Sequence, residues 1–211
     1  MVGTRRFAFS SLLFLAMGAA TFTAASLGIL ATFIIDDLSI SRAELGVVLA
    51  VVNIAAAVLS PVAGRVTDRI GGKAAIVALF VIAGATFLLL GTAVGYVMLL
   101  AGALAGAFSN AFGNPSTNKL IAEDLPAGER GLITGVKQSG VQFGIFLGGV
   151  TVPSIAVAIG WRGAYLVVAA IPLILALLAL WGVPSTPQTS AGSGENRRGR
   201  LPAAIWWLAA Y

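Results

Sequence analysis

A short charged segment separates two long apolar segments in the first half of the chain. It is Gly64-Arg65-Val66-Thr67-Asp68-Arg69-Ile70-Gly71-Gly72-Lys73. The apolar segments on either side, 45–64 and 74–92, each have about the 20 residues that a helix needs to cross the hydrocarbon core of a bilayer. Glycines permit the unusual dihedral angles of a tight turn, and acid and base beside the turn can pair or cap helix ends. The segment therefore predicts a tight turn at a membrane surface between two antiparallel helices.

The composition of the whole chain is that of a membrane protein. Of its 211 residues, 58% are hydrophobic and 10% are charged, whereas soluble domains have roughly 45–50% apolar and about 25% charged residues. The chain contains no His and no Cys. This excludes the usual zinc, haem and iron–sulfur ligands, a thiol nucleophile and a serine activated by histidine. We therefore expect no metal, no cofactor and no enzymatic activity.

Six apolar segments predict an all-α membrane protein with six transmembrane helices. They are 7–33, 45–64, 74–92, 96–118, 132–159 and 164–182. With a cytoplasmic N-terminus, only Arg42 and Arg162 lie outside, and the positive-inside rule favours this orientation in the plasma (inner) membrane. The cytoplasmic basic residues are then Arg5, Arg6, Arg65, Arg69, Lys73, Lys119, Arg130, Arg197, Arg198 and Arg200.

The C-terminal part of the chain has a different composition. Residues 184–200 are rich in Pro, Ser, Thr and Gly and predict a flexible cytoplasmic linker. Residues 201–211 are again apolar, but eleven residues at about 1.5 Å each reach only about half of a hydrocarbon core of roughly 30 Å. The predicted organisation is a six-helix bundle over 1–183, a linker over 184–200 and the start of a truncated seventh helix over 201–211.

The charged turn resembles the cytoplasmic signature of the major facilitator superfamily, G-x-x-x-D-R/K-x-G-R/K-R/K. It also lies between the second and third spans, as in that family, and Gly72 departs from the pattern at a usually basic position. Further similarities are Gly160-Trp161-Arg162 ahead of span six and the polar segment after that span. The matching positions, which form the predicted gating turn, are Gly64, Asp68, Arg69, Gly71 and Lys73.

The resemblance covers the N-terminal six-helix half of a twelve-helix architecture. It implies a secondary-active or facilitative transporter, in which two halves rock around a solute site near the membrane midplane by alternating access. It also implies that Asp68 and Arg69 hold the halves together on the cytoplasmic side in the outward-open state. The implied partners are the lipid bilayer, a small-molecule solute and either a second six-helix half, missing from this chain, or another copy; nucleic acid is not among them.

Polar side chains within the predicted spans mark the candidate solute site, because an unpaired polar group in hydrocarbon is costly. On span four, Asn110, Asn114 and Asn118 recur at every fourth position and share one face of the helix. Such residues either contact the solute or form hydrogen bonds that only hold the bundle together. The candidate substrate-binding residues are Asn110, Asn114, Lys137, Gln138, Gln142, Asn53 and Thr21.

Lys137 is the one charged residue well inside a predicted span, about 10 Å from its cytoplasmic end by helical rise. Its long side chain either extends to the inner surface or acts on an anionic solute. No Asp or Glu lies within a predicted span, so uniport and symport both remain open. Gly135, Gly144 and Gly148 fit only the start of the family's antiporter signature, and antiport is not supported.

The sequence therefore predicts a transporter of a small polar organic solute, with an anion as one option. The alternative is a membrane scaffold or regulatory subunit that transports nothing. An intramembrane enzyme is disfavoured because the spans contain no paired carboxylates and no nucleophile beside a base.

Overall fold

A computed structural model describes residues 2–182, and this part of the chain is helical with short connections. The predicted linker 184–200 and the predicted start of helix seven lie outside the described residues. A single 3-10 turn, Ala127–Glu129, precedes the last helix. The α-helices are α1 Val2–Ile29, α2 Ala31–Leu38, α3 Arg42–Ile70, α4 Gly72–Gly91, α5 Tyr96–Asp124 and α6 Arg130–Gly182.

The helices have the length and composition for six passes through a membrane, the number that the sequence predicts. Five of them are long and apolar enough to span a bilayer, and the last of these covers the 52 residues Arg130–Trp181. At about 1.5 Å per residue, that helix is more than twice as long as a hydrocarbon core is thick. Gly160 divides it, with φ 79° and ψ 158°, values that are outside the helical region. The segments 130–159 and 161–182 therefore make two passes.

The helices extend beyond the predicted boundaries of several apolar segments. Span one does not end at residue 33, because α2 continues to Leu38 after a local break at Leu30. Residues 160–163 are not a loop, since the positive φ of Gly160 reverses the chain within one residue. Likewise, α3 continues past Gly64 to Ile70, and the turn consists of Gly71 alone, with φ 83°. Hydropathy marks the apolar part of a helix, whereas backbone hydrogen bonds extend it into the polar ends.

Close contacts between helices fix their relative directions. Along α1, Phe14 and Gly18 meet Gly140, and Phe22 meets Gly148, so α1 and segment 130–159 run parallel. A Cβ on Gly140 would overlap the carbonyl group of Phe14. This contact brings the two backbones together without side chains between them, as is usual for small residues in membrane helices. The contact fixes the position of the first half of α6 along the axis of α1.

The remaining helices pack on α1 and α4. Segment 161–182 runs antiparallel to α4, because Gly91 meets Leu166 and Gly84 meets Leu173. Helix α5 is antiparallel to α1, since Gly106 contacts Thr23 and Gly113 contacts Ala20. The bundle thus has two ends. We call them the Asp68 end, where α3 ends and α1, α4 and α6 begin, and the Arg162 end, where α1 passes into α2 and Gly160 divides α6.

Candidate functional site

The centre of the candidate site is the side chain of Lys137, two helical turns into α6. The residue is only 2% exposed, and its side chain extends across to α5 rather than along α6 to the Asp68 end. Its Nζ donates hydrogen bonds to Asn118 Oδ1 at 2.6 Å, to Thr117 Oγ1 at 2.9 Å and to Asn114 Oδ1 at 3.4 Å. We call these four residues the Lys137 cluster.

Helix α5 supplies all three acceptors from two successive turns. Asn114, Thr117 and Asn118 are spaced by three and four residues, and this spacing places their side chains side by side on a helix. The Thr117 hydroxyl donates to the carbonyl of Gly113 at 2.7 Å, so its oxygen retains lone pairs for the ammonium of Lys137. The cluster therefore joins α5 and α6 through well-matched donors and acceptors.

The Lys137 cluster contains a cation but no anion. Ion pairs join Arg6 to Glu129, Lys119 to Asp68 and Glu123, and Arg162 to Asp37, and these four pairs lie at the ends of the bundle. The acceptors around Lys137 are neutral amide and hydroxyl oxygens. Asn114 and Asn118 are themselves exposed, although Lys137 is buried. The two amides thus separate the ammonium from an open face of the bundle.

The structure brings together only part of the predicted solute site. Lys137 and Asn114 meet, and Asn110 lies half-buried one turn before Asn114. Gln138 and Gln142 are exposed on α6. Asn53 is exposed on α3, and its side chain donates to Leu49 O at 2.8 Å. Thr21 donates to Met17 O at 2.8 Å within α1.

Two members of the cluster were not among the sequence candidates. Thr117 gave no signal, because a Thr within a helix most often bonds to its own backbone, as this one also does. Asn118 shares the face of Asn110 and Asn114, and its spacing was the available signal. The sequence places it as the last residue of span four.

The predicted gating turn lies at the Asp68 end. Asp68 and Arg69 belong to the last turn of α3, and Gly71 N–H closes that helix by donating to Thr67 O at 2.9 Å. Gly71 has a positive φ, which L side chains rarely adopt, so glycine is required there. Gly64 lies within α3, where a Cβ would meet open space, and Lys73 is half-buried at the start of α4.

Charged groups connect this turn to α5. Lys119 Nζ lies 3.3 Å from Asp68 Oδ1 and 3.9 Å from Glu123 Oε1. Glu123 Oε2 in turn accepts a hydrogen bond from the backbone N–H of Gly72 at 3.2 Å. A Cβ on Gly72 would lie 2.8 Å from that oxygen and 3.0 Å from Leu120 Cα. The departure from the signature at Gly72 thus leaves room for the carboxylate of Glu123.

A second group of polar contacts holds the Arg162 end. Arg162 Nη1 lies 2.6 Å from Asp37 Oδ2, and Arg162 Nε donates to Ala93 O at 2.6 Å. The guanidinium also lies 4.4 Å from the centre of the Trp161 ring. One side chain therefore connects α2, the segment between α4 and α5, and the second half of α6.

An apolar cavity of about 800 Å³ opens near the Asp68 end, between α1 and the start of α6. Ser10, Phe14, Leu132 and Val136 are among the residues that line it. Its lining includes no member of the Lys137 cluster, so the cavity and the cluster are separate features.

Comparison with known proteins identifies the family. The model of the Major Facilitator Superfamily matches residues 12–210. The chain belongs to this superfamily. A hexuronate transporter of Bacillus subtilis (strain 168) is 29% identical over 163 residues, which are 77% of this chain and 39% of the relative. Putative polyol transporter 1 of Arabidopsis thaliana is 30% identical over 163 residues, 74% of this chain and 31% of the relative.

The fold of this superfamily member is also that of a solved transporter. A bacterial homologue of the human lysosomal transporter Spinster, in its inward-facing and unoccupied conformation, matches with a TM-score of 0.79 at 18% identity. The match covers 98% of this chain and 49% of that one. The chain thus spans about half the length of this structure and between about a third and two fifths of the two sequence relatives. It is an integral membrane protein.

Proposed function

We propose that this chain forms the N-terminal half of a secondary-active or facilitative transporter for a small hydroxylated carboxylate of the hexuronate class. The solute crosses the plasma membrane by alternating access, with the Asp68 end of the bundle in the cytoplasm. The observation that carries the proposal is the buried ammonium of Lys137, which is hydrogen-bonded to neutral oxygens and lies behind two exposed amides.

The charge of Lys137 supports an anionic solute. A lysine at the centre of a membrane span costs about 2.5–3.5 kcal/mol on insertion scales, and charged residues within spans pair with one another or with backbone carbonyls. Asn114, Thr117 and Asn118 satisfy the hydrogen bonds of the ammonium but leave its charge uncompensated. A carboxylate on the solute is the complementary group. The exposed amide of Asn114 can also donate to, and accept from, the hydroxyl groups of a sugar acid.

The relatives are consistent with a solute of this kind. One is named a hexuronate transporter and another a putative polyol transporter, so both names refer to small molecules rich in hydroxyl groups. Hexuronates and polyols differ in charge. The uncompensated ammonium favours the hexuronate among these two classes.

The Asp68 end supports a gating role on the cytoplasmic side. Asp68 has a side chain that is 71% exposed and that pairs with Lys119 of α5. It lies about four helical turns further along α3 than Asn53, and so it is far from the middle of the membrane. At this position Asp68 can change the balance between transport states without contacting the solute.

The test compares two substitutions at Lys137 in the complete transporter, in which this chain is joined to its second six-helix half. Uptake of glucuronate into proteoliposomes should fall about 10- to 100-fold for Lys137→Gln, because a charge-assisted hydrogen bond is lost. Lys137→Arg keeps the charge and should retain most of the uptake. Arg42→Gln removes one positive charge at an exposed position at the other end of the bundle and should leave uptake unchanged.

Two outcomes contradict the proposal. Uptake at the parent rate by both Lys137 variants would show that the ammonium does not act on the solute. A parent protein that carries neither glucuronate nor its neutral counterpart glucose would favour the non-transporting scaffold.

A further inference from the structure

The three acceptors around Lys137 are not equivalent. Thr117 is fully buried, and its hydroxyl is also fixed to the backbone of Gly113. Asn114 is exposed, but its oxygen is the most distant, at 3.4 Å. Asn118 is exposed and makes the shortest contact, at 2.6 Å. It is therefore the acceptor that binds the ammonium most closely and that can also move away from it.

We propose that Asn118 determines the charge selectivity of the site. Its amide oxygen occupies the position that the carboxylate of an anionic solute takes when the solute binds. This inference rests on the proposed function, because it assumes that the solute reaches Lys137. It adds that residue 118 decides whether the ammonium is available to an anion.

The reason lies in the charge of the group at position 118. An amide satisfies a hydrogen bond of Lys137 without neutralising it, so a solute carboxylate gains a full charge interaction when it displaces the amide. A carboxylate at position 118 has almost the same size and shape as the amide but carries a charge. It would form a permanent ion pair with Lys137, and a second carboxylate would then be repelled. A neutral sugar would not be repelled by the carboxylate at position 118.

The location of Asn118 makes the exchange sterically possible. Asn114 and Asn118 lie on the exposed face of α5, while Thr117 lies behind them against α1, within 3.6 Å of Met17 Sδ. A solute that enters from the open face reaches the two amides first. Displacing Asn118 leaves Thr117 in place. Lys137 thus keeps one buried hydrogen-bond partner while its ammonium pairs with the carboxylate of the solute.

The experiment uses glucuronate and glucose as a matched pair, since they differ only in a carboxylate against a hydroxymethyl group. Uptake of both is measured in proteoliposomes of the complete transporter for the parent, Asn118→Asp and Asn118→Ser. Asn118→Asp should lower the ratio of glucuronate to glucose uptake about 10- to 100-fold, as expected for adding a like charge beside a bound anion. Asn118→Ser is the neutral control and should keep the parent ratio within about threefold.

A second variant keeps the inference testable if Asn118→Asp does not fold. Asn118→Ala removes the amide that competes with the solute for Lys137, so the KM for glucuronate should stay at the parent value or fall. A rise in KM of tenfold would mean that the amide itself binds the solute, and this would overturn the inference. An unchanged uptake ratio in folded Asn118→Asp would also overturn it.

The failures of the two proposals are distinguishable. If Lys137→Gln abolishes glucuronate uptake while Asn118→Asp leaves the ratio unchanged, only the role of Asn118 is wrong. If Lys137→Gln has no effect, the anionic-solute proposal fails and the inference about Asn118 fails with it.

Discussion

At the scale of single residues, the direction of one lysine side chain separates two interpretations of the same sequence. Counted along the helix, Lys137 is close enough to the cytoplasmic end for its ammonium to reach water. In the structure the ammonium is instead buried against α5, with the nearest acceptor at 2.6 Å. Sequence spacing gives the depth of a residue, but the rotamer depends on which helix is its neighbour. The residues around Lys137 in the sequence do not specify which helix packs beside it.

Asp68 allows a test that separates gating from solute binding. Its pair with Lys119 is exposed, and such pairs contribute at most about 1 kcal/mol to stability. Asp68→Asn in the complete transporter should therefore leave the fold intact. We expect uptake to fall about tenfold or more through the balance of states, while the Kd for glucuronate changes less than about threefold. Uptake in proteoliposomes and equilibrium binding of labelled glucuronate measure the two effects.

The matched control is Asp36→Asn, which removes one exposed carboxylate at the opposite end of the bundle. It should retain both uptake and binding. Uptake at the parent rate by Asp68→Asn would end the gating proposal, and a parallel loss of binding and uptake would place Asp68 in a different role.

At the scale of helices, hydropathy predicts the number and type of the elements but not their ends. All six predicted spans are helical, because each apolar segment must satisfy its backbone hydrogen bonds internally within a bilayer. Their ends depend on single residues, such as Gly160 and Gly71 with positive φ, and Ser41, whose side chain and backbone form a capping box with Glu44. The glycines were visible in the sequence, but the conformation of each was not.

The contact between α1 and α6 can be tested through two glycines on the same helix. A Cβ on Gly140 would overlap the carbonyl of Phe14, whereas a Cβ on Gly149 would meet nothing within 4 Å. Gly140→Ala should therefore lower stability by about 1–3 kcal/mol, the usual cost of overpacking. Gly149→Ala should be neutral or slightly stabilising, since alanine favours a helix over glycine by up to about 1 kcal/mol. Thermal unfolding of the purified chain in detergent compares the two.

Gly140 also lies one helical turn from Lys137, so the same substitution bears on the solute site. Moving α6 away from α1 should lengthen the hydrogen bonds from Lys137 to α5.

Equal melting temperatures for the Gly140→Ala and Gly149→Ala variants would show that the close contact between α1 and α6 does not stabilise the bundle.

At the scale of the whole molecule, the sequence predicts the family and the six-helix bundle but only part of the site. The signature turn and the apolar segments suffice for the family, because both are local patterns. The Lys137 cluster joins residues 114–118 to residue 137 through the packing of α5 and α6 around α1. Hydrogen bonds between residues about twenty positions apart depend on tertiary packing, and a local sequence pattern does not predict that packing. The sequence therefore assigns Asn114 and Lys137 to one candidate site but does not predict the hydrogen bond between them.

The orientation of the bundle in the membrane is a property of the whole molecule, and charge predicts it. Among basic residues whose side chains the structure describes, only Arg42 and Arg162 lie at the Arg162 end. Those at the Asp68 end are Arg6, Arg65, Arg69, Lys73, Lys119 and Arg130. An excess of this size favours a cytoplasmic Asp68 end, because basic residues are retained on the cytoplasmic side during insertion.

The absence of cysteine from the chain makes this orientation directly measurable. Ser39 is exposed at the Arg162 end, and Gly128 is exposed between α5 and α6 at the Asp68 end, where a side chain meets nothing within 4 Å. A membrane-impermeant maleimide should label Ser39→Cys in intact cells and Gly128→Cys only in inverted vesicles, with the cysteine-free parent as the control. The reversed pattern would overturn the orientation. Labelling of both cysteines from one side would overturn the number of passes, since an odd number of crossings separates the two positions.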